Sequence, residues 1–392
     1  MSTKPDSGPT APRGYGWGTT LALGVPMCLL TLMMLMGGPR PPQDPLRLIP
    51  LLVTWIFING LFILMLRTGR TDRYRAILFI ALAFAFVLTF ITNLVEIRGS
   101  MALSEEDMLT GKTPFCHLVI PMTVIPAALT RTIIFPGSML GGFAPIGAML
   151  VLWLGVSIAL GRGWCSWGCF FGGLEEGFSR VRRRAVIRHI DARWTYLPYA
   201  VLLVVVLTSA AFLSPTYCMW LCPFKTVTEF PAINSTLRAV QAGIFGSLFA
   251  GLVVALPILT RRRTQCGLFC PFGAFQSAAN KVSAFDIRID RDVCNRCGLC
   301  TTVCPTFSLD ERSLEKGKPR VSCSQCGKCV DACTRRAITY HVKGTSVDPC
   351  RRRDRLLFML PAFLLLAVMG GGMIQGALQR LLLLATTGRL IQ

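Results

Sequence analysis

The residues with the clearest capacity for chemistry are eight cysteines in two runs of identical spacing, C-x2-C-x2-C-x3-C. The first run holds Cys294, Cys297, Cys300 and Cys304, and the second, 29 residues later, holds Cys323, Cys326, Cys329 and Cys333. Thiolates are soft ligands that favour zinc, copper(I) or iron–sulfur clusters over hard cations. Cysteines at such regular spacings indicate metal ligands rather than a disulfide framework.

The spacing distinguishes between these metals. C-x2-C-x2-C-x3-C is typical of bacterial proteins with two [4Fe–4S] clusters, in which the fourth cysteine of each run binds the other cluster. Zinc ribbons instead take two cysteines from each loop. We therefore predict one [4Fe–4S] cluster on Cys294, Cys297, Cys300 and Cys333, and a second on Cys323, Cys326, Cys329 and Cys304.

The rest of the chain is too apolar for an ordinary soluble protein. It has 392 residues, of which 52% are hydrophobic, and a mean hydropathy of +0.53. These values indicate a membrane protein. The net charge is +21, but the arginines lie in loops between apolar runs, where they set membrane topology. We therefore predict no nucleic-acid partner.

Seven apolar runs are predicted to cross the ~30 Å hydrocarbon core. They lie at about 15–38, 46–66, 76–97, 145–160, 196–213, 242–259 and 356–374. Prolines interrupt a further apolar stretch at 118–143, so we expect it to be interfacial or re-entrant. The predicted fold class is an all-α polytopic membrane protein with an inserted ferredoxin-like α+β module. The predicted divisions are a disordered terminus (1–14), a six-helix membrane domain (15–260), the module (261–350), and a last helix with its tail (351–392).

Basic residues alternate from loop to loop. The loops at 67–75, 180–193 and 261–355 are rich in arginine, whereas those near Pro42, Glu105 and Cys218 carry few basic residues. Because basic loops stay inside, the N-terminus and the module are predicted to be cytoplasmic. The expected location is the inner (cytoplasmic) membrane, crossed several times.

Three further cysteine pairs share the spacing C-x3-C. They are Cys165 and Cys169, Cys218 and Cys222, and Cys266 and Cys270. Residues four apart on a helix are neighbours, so each pair can present two thiols together. With the predicted topology, the first and third pairs lie on the cytoplasmic side, and we expect their four thiols to hold a further iron–sulfur cluster. Free or exchange thiols are the alternative.

The middle pair lies on the outer side in this topology, together with Cys116. We expect Cys116, Cys218 and Cys222 to form an outer metal or redox site, which His117 could complete. The alternative for the outer pair is a disulfide, because that compartment is oxidising.

Other carriers of electrons or energy have no signature in the sequence. It contains no C-x-x-C-H for haem attachment, and its three histidines do not lie in the middle of a predicted span. Nucleotide-binding glycine motifs are also absent from the sequence. The thiol sites are therefore the carriers that the sequence predicts.

The motifs Gly161-Arg-Gly-Trp-Cys165-Ser-Trp-Gly-Cys169 and Cys266-Gly-Leu-Phe-Cys270-Pro271-Phe-Gly-Ala, followed by the two cysteine runs, resemble polyferredoxin-like membrane proteins of the NapH/NosR/MauN type. The resemblance covers about residues 145–345. It implies an electron-transfer subunit of the quinol dehydrogenase kind, which passes electrons across the cytoplasmic membrane to periplasmic reductases.

The sequence departs from that family in three respects. Phe170 replaces the proline that follows the second cysteine, Cys218 and Cys222 form an extra pair, and the chain has no flavin-attachment motif or large outer domain of the NosR kind. The first two departures concern the particular partner and reaction rather than the electron-transfer role.

The predicted function is electron transfer between a quinone pool or cytoplasmic donor and a periplasmic reductase, cytochrome or iron–sulfur protein. Glu96, Glu175 and Glu176, near the ends of apolar runs, are candidate proton acceptors for a quinol, although carboxylates there commonly serve helix-end solvation. The alternative function is an assembly factor that supplies electrons or metal to a partner metalloenzyme.

Overall fold

A computed structural model describes residues 14–38, 40–96, 114–135, 138–141, 144–188, 190–229, 233–345 and 351–388. The predicted disorder of residues 1–14 therefore lies, except for Gly14, outside the described residues.

The membrane part is built from helices of very different lengths. In chain order they are α1 (Trp17–Met36), α2 (Pro45–Thr68), α3 (Thr71–Glu96), α4 (Ile120–Thr130), α5 (Ile146–Leu160), α6 (Trp164–Trp167), α7 (Phe170–Ser179), α8 (Leu197–Phe212), α9 (Lys225–Thr228), α10 (Thr236–Thr260), α11 (Thr264–Leu268) and α12 (Pro271–Val282). The module follows with β1 (Phe285–Ile289), α13 (Leu299–Val303), α14 (Glu311–Lys316), α15 (Lys328–Ala332) and β2 (Ile338–Val342), and α16 (Arg351–Thr387) closes the chain.

Seven helical stretches in the described part of the chain are long and apolar enough to cross a membrane, which confirms the predicted number. They comprise α1, α2, most of α3, α5 with α6, α8 with the turn before it, α10 and most of α16. In the described part of the apolar stretch at 118–143, one short helix is present, His117–Thr130. At ~1.5 Å per residue these 14 residues reach ~21 Å, less than the hydrocarbon thickness.

In the first and third C-x3-C pairs, the second cysteine lies at the start of a helix. Cys169 is the N-cap of α7 and Cys270 is the N-cap of α12, and each side chain accepts a hydrogen bond from the first turn of its helix. A capping side chain satisfies an N–H group that the helix leaves without a partner. Each C-x3-C pair of this kind therefore spans the break between a short helix and a longer one.

The module has a two-stranded antiparallel sheet in which Phe285 faces Val342 and Ile289 faces Ile338. Alternate residues of β1 are buried, as expected for a sheet covered on one face. The sheet rests on the first turns of α16, where the ring of Phe358 stacks on Tyr340 at 4.2 Å and meets Phe285 edge-on at 5.5 Å. These aromatic contacts attach the module to the last membrane helix.

Candidate metal centres

The two cysteine runs of the module have the same backbone shape. The residue before the second cysteine is left-handed in both runs (Arg296 and Gln325, φ 53° and 51°), and so is the glycine after it (Gly298 and Gly327, φ 73° and 83°). Left-handed backbone is costly for residues with a Cβ atom, so these conformations reflect the demands of the loop. Each loop turns tightly enough to direct three thiols toward one space.

The thiols of the module surround two cavities. Each cavity is lined by three cysteines of one run and the last cysteine of the other run. The distal set is Cys294, Cys297, Cys300 and Cys333, which line one cavity. The proximal set is Cys304, Cys323, Cys326 and Cys329, which line the other. Four thiols and no other charged ligand around each cavity fit the donor chemistry of a [4Fe–4S] cluster.

Backbone N–H groups also point at these sulfur atoms. Ser308 N donates to Cys304 Sγ at 3.2 Å, and Ala337 N donates to Cys333 Sγ at 3.3 Å, again 29 residues apart. Such hydrogen bonds stabilise negative charge on the sulfur and are one determinant of cluster potential. Within the described ranges, no group of three or more His, Cys, Asp or Glu side chains is arranged to hold a single metal ion.

The two sets differ in their exposure. Cys297 of the distal set is exposed, whereas Cys304, Cys326 and Cys329 of the proximal set are buried. Trp167 of α6 donates from Nε1 to the carbonyl of Gln325, inside the proximal loop, at 3.2 Å. The proximal set therefore faces the membrane helices and the distal set faces away from them.

The three C-x3-C pairs share a local geometry. The second cysteine is extended in each, with φ and ψ of −78° and 105° at Cys169, −79° and 107° at Cys222, and −66° and 115° at Cys270. Gly172 N donates to Cys169 Sγ and Gly273 N donates to Cys270 Sγ, both at 3.4 Å. The pairs therefore behave as structural repeats.

The first and third pairs come together in space. Their four thiols, Cys165, Cys169, Cys266 and Cys270, are all buried and form what we call the four-thiol set. Arg162, in the loop of the first pair, donates to Cys266 O at 2.9 Å, and Arg263, in the loop of the third pair, donates to Cys165 O at 2.8 Å. This arrangement offers the ligands that a further cluster would need.

Cys116, Cys218 and Cys222, the three-thiol set, line one cavity of about 550 Å³. Cys218 interacts electrostatically with the other two. The structure has no disulfide between Cys218 and Cys222. The remaining lining is largely aromatic and methionine, with Thr89, His117, Lys225 and Thr228 as polar groups.

The structure differs from the sequence-based expectation in how the two membrane sets relate. The predicted topology places them on opposite faces of the membrane, but His117, next to Cys116, contacts Cys169 Sγ of the four-thiol set through Nε2 at 3.1 Å. His117 also lines the cavity of the three-thiol set, so it lies between the two sets. The reason is that α7 turns back along α3, so that Gly173 approaches Phe79.

Geometry connects the four sets in one order. Both cysteine runs contribute to the distal and the proximal set. Arg263 links Ser324 of the proximal loop to Cys165, and His117, next to Cys116, contacts Cys169 Sγ. The order is therefore distal set, proximal set, four-thiol set, three-thiol set.

Glu175 and Glu176 are fully buried, and both have structural partners. The Glu175 carboxylate accepts hydrogen bonds from Gln265 N at 2.6 Å and Cys266 N at 2.9 Å, which fixes the loop of the third pair. Burial raises the pKa of Glu175 to about 7, although these hydrogen bonds oppose the shift. Burial would also raise the pKa of Glu176, but Arg75, Arg180 and Arg263 hold it well below its usual range. The side chain of Glu96 lies outside the described residues.

Sequence reasoning missed the buried arginines that join these loops. Arg263 donates from Nη1 to Cys165 O at 2.8 Å and from Nη2 to Ser324 Oγ at 2.9 Å, and so links a membrane pair to the proximal loop. The available signal was positional, because Arg162 and Arg263 each lie three residues before the first cysteine of a pair.

Two family models match the chain. A 4Fe-4S dicluster domain matches residues 286–337, which contain both cysteine runs. A 4Fe-4S binding domain matches three times, at 142–188, 194–234 and 242–290. Each of these three matches contains one C-x3-C pair, so the middle pair belongs to the same repeat as the other two.

Curated relatives are similar over about half of the chain or more. The ferredoxin-type protein NapH of Escherichia coli is 28% identical over 58% of this chain and 77% of its own length. The methylamine utilization ferredoxin-type protein MauN of Methylorubrum extorquens is 28% identical over 53% of this chain and 65% of its own length. Protein NirI of Paracoccus denitrificans is 28% identical over 62% of this chain, which spans 37% of that protein. No solved structure matches the chain.

Proposed function

We propose that this chain, which belongs to the NapH/MauN-like family of ferredoxin-type membrane proteins, passes electrons through the cytoplasmic membrane between a quinone pool or cytoplasmic donor and a periplasmic redox partner. The observation that carries the proposal is the single order of the four thiol sets. Iron–sulfur clusters bound to such thiolates would supply one-electron transfer.

The proposed ligands follow from the cavities and contacts. The distal and proximal sets would each hold one [4Fe–4S] cluster, with the cross-pairing that the two runs require. The four-thiol set would hold a further cluster. The three-thiol set would be the last redox site on the membrane side.

The two ends of this order suit different partners. Cys297 at the distal end is exposed, which suits electron exchange with a soluble protein. The cavity at the other end, with its aromatic and methionine lining, falls in the size range of small-molecule sites, and an apolar quinone ring fits such a lining. A quinone would therefore meet the path at the three-thiol set, from which electrons would go on to the periplasmic partner. We place the module and the N-terminus in the cytoplasm because the loops on that side carry most of the arginines.

The test is a count of iron and acid-labile sulfide per chain, with EPR spectra, on anaerobically purified protein. About eight irons per chain would mean that only the two module sites are loaded, since each [4Fe–4S] cluster holds four. That result would contradict a path through the membrane. Clearly more than eight would support it.

Topology needs a separate experiment. A reporter that is active only in the periplasm should be inactive when fused within residues 67–75 and active when fused near Ser214, between α8 and Cys218. The opposite pattern would place the module outside and would overturn the proposed direction of the path.

A further inference from the structure

Arg162 is a buried cation at the junction of the module and the membrane helices. It is 2% exposed. Nη1 donates to Ser322 O at 2.7 Å and Ser277 Oγ at 3.1 Å, and Nη2 donates to Cys266 O at 2.9 Å. All three acceptors are neutral, and Nε has no partner. Among the residues that the structure describes, no carboxylate forms an ion pair with Arg162.

A second arginine provides a contrast within the same structure. Arg263 precedes Cys266 as Arg162 precedes Cys165, and the two reach across to each other's loop, since Arg162 donates to Cys266 O and Arg263 donates to Cys165 O. Arg263, however, has a carboxylate partner, because its Nε lies 3.4 Å from Glu176 Oε2. The middle pair has Pro215 at the corresponding position. These reciprocal hydrogen bonds therefore connect the first and third pairs and do not involve the middle pair.

A buried charge without a compensating charge is costly, because burial removes it from water. The groups that can compensate Arg162 are thiols on both sides of it. Its acceptors lie beside both sets, since Cys266 belongs to the four-thiol set and Ser322 directly precedes Cys323 of the proximal set, and it interacts electrostatically with Cys165 and Cys270. It also interacts with Cys323 of the proximal set.

We propose that Arg162 is the shared counter-cation of the four-thiol set and the proximal set, and that its charge raises the reduction potential of the clusters held there. The inference rests on the proposed function: its part for the four-thiol set needs the further membrane cluster, whereas its part for the proximal set needs only the module cluster. Reduction of a cluster by one electron adds one negative charge. A guanidinium that stays protonated stabilises that charge, and more strongly in a low-dielectric interior than in water.

The test is an EPR-monitored redox titration of the full chain with Arg162→Gln, Arg162→Lys and the exposed control Arg182→Gln. Arg162→Gln should lower the midpoint potentials of the clusters beside it by at least about 59 mV. For a one-electron couple this shift corresponds to a tenfold change in the reduction equilibrium constant. Arg162→Lys keeps the charge and should shift these potentials less than half as much. The distal cluster and the Arg182→Gln protein should keep wild-type potentials.

Equal shifts for Gln and Lys, or unchanged potentials with Gln, would overturn the proposal. If Arg162→Gln retains no iron, the Arg162→Lys variant decides the question. Wild-type iron content and potentials in Arg162→Lys would support the role of the charge, and their loss would contradict it. If the wild-type chain holds only about eight irons, the proposed membrane cluster fails. The shift at the proximal cluster then still tests Arg162.

Discussion

Gly173→Ala is expected to destabilise the protein and Gly177→Ala is not, because Gly173 lies at a tight contact between α7 and α3. A Cβ atom on Gly173 would lie 2.4 Å from Phe79 O and 2.7 Å from Ala83 Cβ, and neither α7 nor α3 can rotate a backbone atom away. One turn later, a Cβ atom on Gly177 would lie 3.4 Å from the nearest atom, on the ring of Phe84. Glycines four apart permit such close helix approach.

The magnitudes follow from two opposing terms. Overpacking a tight contact costs about 1–3 kcal/mol. Replacing glycine by alanine within a helix gains about 1 kcal/mol. Gly173→Ala should therefore lose up to about 2 kcal/mol, whereas Gly177→Ala should be neutral or gain about 1 kcal/mol.

The consequence extends to the metal site, because α7 begins at Cys169 and carries Glu175, which fixes the Cys266 loop. Gly173→Ala should lower both the thermal midpoint of the purified protein in detergent and its iron content per chain. Gly177→Ala should leave both at or above wild type. Equal behaviour of the two variants would refute the close packing of α7 on α3.

Three other predictions concern the module, the charge cluster and the three-thiol set. Gly298 and Gly327 both have left-handed backbone, but only a Cβ atom at position 327 would meet another group closely, Tyr340 Oη at 2.4 Å. Gly327→Ala should therefore retain less iron than Gly298→Ala, and equal iron contents would contradict this. Glu176→Gln should lower the thermal midpoint, since removing one partner of a buried ion pair costs about 3–5 kcal/mol, and an unchanged midpoint would show that the arginines do not need this anion. Cys222→Ser should lower the metal content of the membrane part while the EPR signals of the module persist. The control Cys28→Ser, in α1, should lose no metal. Full retention of metal by Cys222→Ser would exclude Cys222 as a ligand.

Local patterns in the sequence were sufficient for much of the fold. The seven apolar stretches follow from hydropathy over about 20 residues, and the sets of the module follow from the fixed spacing of Cys294 to Cys333. Helix ends were less accurate. The last helix runs from Arg351 to Thr387 although we expected 356–374, because polar residues inside it do not stop a helix that packs on α2 and α3.

What sequence reasoning could not supply was the position of loops that leave and re-enter the packed helices. Basic loops fix which side a span begins on, but not how deep the connecting segment lies. The alternation of basic loops predicts Cys116 and Cys169 on opposite faces, although α7 turns back along α3 and Cys169 contacts His117, the residue after Cys116. Tertiary packing determines how close these two segments lie, and no local periodicity in the sequence indicates it.

The same packing determines how the module can work. Arg162 and Arg263 donate from their side chains to the proximal loop, and Asn280 Nδ2 donates to Val321 O and Cys323 O, each at 2.7 Å. Breaking this junction would expose guanidinium groups and carbonyls that now satisfy one another in a buried interface, and each lost hydrogen bond to a charged group costs about 1.5–3 kcal/mol. A module that swings away to collect electrons would lose several such bonds at once. The junction therefore favours a fixed path, in which the proximal set stays beside the four-thiol set and electrons, rather than the domain, move.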